Sequence, residues 1–208
     1  MDNNAGNTDG TGSTATPGAP GAPASNANKG RQTYWSARQL AIMSIFIALG
    51  ALLAFIPLPI FPPAAAFGIT YDPSNVPAIL GGLAFGAGPG SIIGILSAAL
   101  HGLLTGDYVG TMMNIVAVVG FVVPAALICR TRRTTGRLIV GLIVGSLVSV
   151  ALIIPANLIV WPLYYGIPFD VTLTYVVPLM LPFNLLKALL NAVLSFALYK
   201  SLYKLLQR

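Results

Sequence analysis

The sequence predicts an all-α integral membrane protein with six transmembrane helices and both termini in the cytoplasm. Three observations carry that prediction. The first is composition. The 208 residues are 56% hydrophobic and 8% charged, whereas soluble domains carry about 25% charged residues. The second is a series of long apolar stretches, since a bilayer takes about 20 apolar residues per helix. The third is the partition of charge. Lys29, Arg31 and Arg38 precede the first stretch, Arg130, Arg132, Arg133 and Arg137 lie between the fourth and fifth, and Lys200, Lys204 and Arg208 end the chain. Six spans put all three groups on one side, which the positive-inside rule makes cytoplasmic. Asp72, Asp107 and Asp170 then fall in the three loops on the opposite side. The formal charge of +6 is thus topological and not a nucleic-acid surface.

In chain order, residues 1–33 are rich in Gly, Ala, Asn, Thr, Ser and Pro without apolar periodicity. Such a segment buries too little surface to offset ordering, so it reads as a disordered tail. It lacks the apolar region of a secretory signal. Residues 34–208 form the membrane-embedded part, with spans at about 38–56, 75–88, 89–104, 109–129, 138–161 and 178–203. The second and third spans meet at Gly86-Ala87-Gly88-Pro89-Gly90, a tight turn after which Pro starts a helix. Pro155, Pro162, Pro178 and Pro182 predict irregular helix ends around the last link.

Much chemistry is missing. There is no phosphate-cradling Gly-rich Lys-Ser/Thr loop, and no glutamate at all. Paired carboxylates for acid–base or di-metal work are therefore lacking within the spans, and no metal site or enzymatic activity is expected. The single His101 reads as a packed or interfacial residue. Cys129, also single, reads as a small apolar side chain. With one cation inside the spans and no acid beside it, self-powered ion-coupled transport is not expected.

That cation is Lys187, in the otherwise uncharged stretch from Leu179 to Leu198. A charge there costs roughly 2.5–3.5 kcal/mol on insertion scales and faces a cavity or a partner. Asn184, Lys187 and Asn191 share one helical face by their spacing. If the last helix begins near Pro182, Asn184 and Lys187 lie in its first two turns, toward the outside. Asn157, beside Trp161, Tyr164 and Tyr165, and Asn114 also fall in the outer half. A few oriented polar groups in an apolar bundle make a small-molecule site, though span Asn residues also serve as interhelical glue and the aromatics also fit an interfacial belt. On span one, Ala41, Ser44 and Ala48, with Ala37 a turn earlier, form a small-residue face. It suits close helix approach, within the bundle or to a partner.

Several segments carry a resemblance. They are Asp72 to Ala78 followed by Phe85-Gly86 and Gly88-Pro89, Gly110 to Asn114, Asn157 with Pro162-Leu163-Tyr164, and above all Leu181-Pro182-Phe183-Asn184-Leu185-Leu186-Lys187. Together they resemble the substrate-binding S component of energy-coupling factor (ECF) transporters, most closely the riboflavin-transporter group. The similarity covers about 38–206 and departs at Asn75, where an acid is expected, and at Ser97-Ala98, where relatives often carry Lys-Asn. It implies a cell-membrane protein for riboflavin uptake, with no cofactor and riboflavin as transported ligand. Asn157, Asn184 and Lys187 would contact the vitamin, with Asn114 a fourth contact. An uncharged ligand would fit a lysine without an acid. Ala41, Ser44 and Ala48 would dock on a transmembrane coupling subunit joined to two ATPases, and the S component would topple to release its substrate inward. An S component for another vitamin or small nutrient, and a non-transport membrane scaffold, stay open as alternatives.

Overall fold

The structure, a computed structural model, describes residues 35–66, 68–131 and 134–207, with side chains described as far as residue 201. The expected tail at 1–33 and the basic residues Lys29, Arg31, Arg132, Arg133 and Arg208 lie outside the described residues. Among the described residues, six long helices and two short ones follow in order: α1 (Ala37–Leu53), α2 (Pro62–Ala65), α3 (Asn75–Phe85), α4 (Ala87–Thr105), α5 (Tyr108–Cys129), α6 (Thr135–Tyr165), α7 (Phe169–Tyr175) and α8 (Leu181–Gln207). No sheet forms among the described residues; one bridge pairs Leu58 with Tyr71.

Ala87–Thr105, Tyr108–Cys129, Thr135–Tyr165 and the continuous run Phe169–Ser201 are long and apolar enough to cross a membrane, while Ala37–Leu53 and Asn75–Phe85 are apolar but shorter. α3 is short for a reason visible in its packing. Every residue from Asn75 to Ala84 is buried, with α1, α4, α5 and α8 packed around it. A helix apolar on all sides belongs inside a bundle. The turn after it is tighter than expected, because Gly86 alone links α3 to α4 with φ +105°. Only Gly takes that conformation without strain. The two helices then touch backbone to backbone, so that a Cβ on Gly90 would lie 2.4 Å from the Gly82 Cα.

The link between α6 and α8 departs most from expectation. α6 runs on through Pro155 and Pro162 to Tyr165, which neighbouring helices permit in membrane proteins. α8 does not start afresh at Pro182. It continues α7 through a π-helical turn, Val176–Met180, that contains Pro178, so Asn184 and Lys187 lie well inside a 33-residue helical run. Proline that cannot donate to the preceding turn produces a wide turn here and not an end.

The main core lies where α1, α3, α4, α5, α6 and α8 meet, around Ile79, Ile93, Val118 and Val122. A second cluster forms where α2 and the segment after α1 fold onto α6 and α8. There Ala64, Trp161, Leu179, Met180 and Phe183 pack together. This cluster sets one wall of the site.

Candidate functional site

Loop 54–74 supplies the element that the sequence reading left outside the bundle. Its Leu58–Tyr71 bridge, with N···O distances of 2.7 and 2.9 Å, brings Tyr71 and Asp72 against α8. The Tyr71 hydroxyl donates to Asn191 Oδ1 at 3.1 Å, and both residues are buried. One turn along α8, Lys187 Nζ donates to Asp72 Oδ2 at 3.2 Å, with both side chains less than a fifth exposed. Lys187 therefore has an acid beside it, contrary to expectation. The span count placed Asp72 in an outer loop, and that loop folds inward so that the partly buried Lys187 and Asp72 charges pair.

The pairing extends into a network. Ser74 donates to Asp72 Oδ1 through its backbone N–H at 3.2 Å and also through its hydroxyl. Asn114 Nδ2 donates to Ser74 Oγ at 3.4 Å, and Asn75 Nδ2 donates to Asn114 Oδ1 at 3.0 Å. One hydrogen-bonded chain thus joins α8, the loop, α5 and α3. Burial alone would push the Asp72 carboxyl up, but the Lys187 charge and the Ser74 hydrogen bonds outweigh it and hold the group below its ordinary range. Burial, with the Asp72 charge beside it, pushes the Tyr71 phenol up to about 12.

Above this floor opens a cavity of about 550 Å³, within the range of small-molecule sites of about 300–1,000 Å³. Asn114, Asn157, Asn184 and Lys187 all line it, so α5, α6 and α8 bring together the four residues singled out by sequence. Asn157 Nδ2 donates to Ile153 O at 2.9 Å and Asn184 Nδ2 to Met180 O at 2.8 Å. Each of these bonds uses one amide N–H and fixes the rotamer. The amide can then present an acceptor and a second donor to a ligand. Trp161, Met180, Phe183 and Phe55 add apolar and aromatic surface to the same lining.

Other expectations divide. Asn191 shares the face of Lys187 but serves Tyr71. Trp161, 7% exposed, and Tyr165, 61% exposed, both line the cavity, and only Tyr164, 58% exposed, keeps the character of an interfacial belt alone. His101 is half-buried against Phe55, ring centroids 4.8 Å apart, and lines the cavity. Ser97 donates to Ile47 O at 3.1 Å, which makes it a contact between α4 and α1. Sequence reasoning missed Asp72 and Ser74 as site residues; the signal was the one buried cation that required an anion. Ala37, Ala41, Ser44 and Ala48 are exposed, while Met43, Phe46 and Gly50 turn inward. The small-residue face is therefore not used for packing within this bundle. Among the described residues, no cluster of three His, Cys, Asp or Glu could hold a metal.

Comparison with known proteins now has geometry to rest on. The family model for the ECF transporter substrate-specific component matches residues 38–199. Over 136 residues the chain is 32% identical to a riboflavin transporter of Staphylococcus aureus, covering 64% of this chain and 70% of that protein. A solved S component of a bacterial ECF transporter superposes with a TM-score of 0.68 at 29% identity, over 82% of this chain and 98% of that one. ThiT from Listeria monocytogenes shares the fold, with a TM-score of 0.61 at 18% identity over the same shares. The chain is a multi-pass membrane protein and belongs to the family of substrate-specific components of ECF transporters.

Proposed function

We propose that this chain binds riboflavin at the cell surface and delivers it inward as the substrate-specific subunit of an ECF transporter. The observation that carries the proposal is the cavity that Asn114, Asn157, Asn184 and Lys187 line together with Trp161 and Phe183. The isoalloxazine rim presents carbonyl acceptors and an imide N–H. Amides held by their own helices match both kinds of group, and the aromatic wall covers the ring faces. Lys187 keeps N–H donors for a carbonyl or ribityl oxygen after pairing with Asp72. Because Asp72 already balances its charge, Lys187 stays paired when a neutral ligand binds. The similarity to a riboflavin transporter supports the same ligand.

Within this reading the chain crosses the membrane six times, α1 and α3 counting as shorter spans, with both termini in the cytoplasm. The exposed face of Ala41, Ser44 and Ala48 lets a helix of the transmembrane coupling subunit approach closely. Two ATPases attached to that subunit supply the energy for uptake. Purification in detergent from cells supplied with riboflavin tests the ligand. Co-purifying flavin absorbance is expected. Flavin-free protein should gain about 2.7 kcal/mol of stability at a ligand concentration 100 times Kd. Colourless protein whose melting is unmoved by excess riboflavin would refute the proposal.

A further inference from the structure

We propose that Asp107 makes this cavity select the neutral vitamin over its phosphate ester, an inference that rests on the riboflavin reading above. Among the described residues, three charged side chains line the cavity: Asp72, Asp107 and Lys187. The lysine is committed to Asp72 at 3.2 Å. The two carboxylates and one ammonium carry a formal net charge of −1, and the unbalanced charge is that of Asp107. Among the described residues, Asp107 has no ion-pair partner, and Lys187 is the only Lys or Arg lining the cavity.

The carboxylate is also held in place. Asp107 caps the N-terminus of α5, accepting from Gly110 N at 2.8 Å. Its carbonyl accepts from the Thr111 amide at 3.1 Å and the Thr111 hydroxyl at 2.7 Å. Being both cavity-lining and solvent-exposed, it stands at the mouth. A ribityl hydroxyl there donates to the carboxylate. A phosphate monoester brings about −1.5 to −2 charges to a fixed anion at the rim of a cleft, where like charges repel. The cap dipole of α5 softens but does not cancel a full negative charge.

The test is competition between riboflavin and its phosphate ester for the purified full-length chain, in wild type and in D107N and D107S. Both replacements are good helix caps, so the fold is kept. The wild type is expected to bind riboflavin more tightly than the ester. The variants should shrink that ratio by about threefold to tenfold, the scale of one like-charge contact at a partly solvated rim. The difference should fade in about 1 M salt, where the screening length falls to about 3 Å. Equal wild-type affinities for the two ligands, or a ratio unmoved in both variants, would overturn the role of Asp107 while leaving riboflavin binding intact. A wild type that binds neither ligand would overturn the riboflavin reading and this inference with it.

Discussion

At the residue scale, the Lys187–Asp72 pair governs the site. The lysine was conspicuous in sequence because the other ten of the eleven basic residues lie in the terminal segments or in one basic loop. Its partner was not, because an acid in a loop is the ordinary pattern for topology and 115 positions separate the two. No local spacing rule reaches that far. The side-chain network through Ser74, Asn75 and Asn114 was illegible for the same reason, although Asn114 itself stood out as an amide in a span. Replacing Lys187 by Met leaves the Asp72 carboxylate buried without a counter-charge. This should lower stability by about 2–4 kcal/mol, somewhat below the range for a fully buried pair. The double variant D72N/K187M should lose clearly less. Thermal melting of ligand-free protein in detergent reads both; losses that simply add would show that the two side chains are not coupled.

At the element scale, hydrophobic patterning located the long helices to within a few residues, because their apolar runs are bounded by polar, Gly and Pro residues. It did not find α2 and α7, whose short runs carry no helical period of their own. Nor could it tell that Pro178 widens a helix and does not end it, since that depends on what neighbouring helices supply to the freed backbone. The Gly-rich turn was legible as a turn, but not as a close backbone crossing. Gly90 and Gly88 separate those roles. A Cβ at Gly90 meets Gly82 backbone at 2.4 Å, whereas one at Gly88 meets nothing within 4 Å. Gly90→Ala should therefore destabilise by about 2 kcal/mol or more through overpacking. Gly88→Ala should be neutral or gain up to about 1 kcal/mol from helix propensity. Equal melting temperatures for the two variants would contradict the crossing.

At the scale of the whole molecule, charge partition predicts which end of the bundle faces the cytoplasm, and the cavity lies at the other end. Asp107 and its neighbours line the mouth, while Arg130 and Thr134 flank the opposite ends of α5 and α6. The only cysteine, Cys129, is buried, so labelling sites can be introduced one at a time in a Cys129→Ala background. Tyr108 and Thr131 are both exposed, at opposite ends of α5. Tyr108→Cys should react with a membrane-impermeant maleimide in intact cells, and Thr131→Cys only after the membrane is opened. The reverse pattern would invert the topology and place the cavity inside.

The ligand assignment draws on every scale, from two rotamer-locked amides to a cavity of about 550 Å³ in the bundle. Its most direct test is an equilibrium titration of purified protein with riboflavin, following quenching of flavin fluorescence, for wild type beside N184A/K187A. One saturable site per chain is predicted for the wild type. Removal of the amide and the ammonium should weaken it at least about hundredfold, the loss of two ligand hydrogen bonds, one of them to a charged group. Affinity within about threefold of wild type in a folded double variant, well under 1 kcal/mol, would contradict the placement of riboflavin in this cavity.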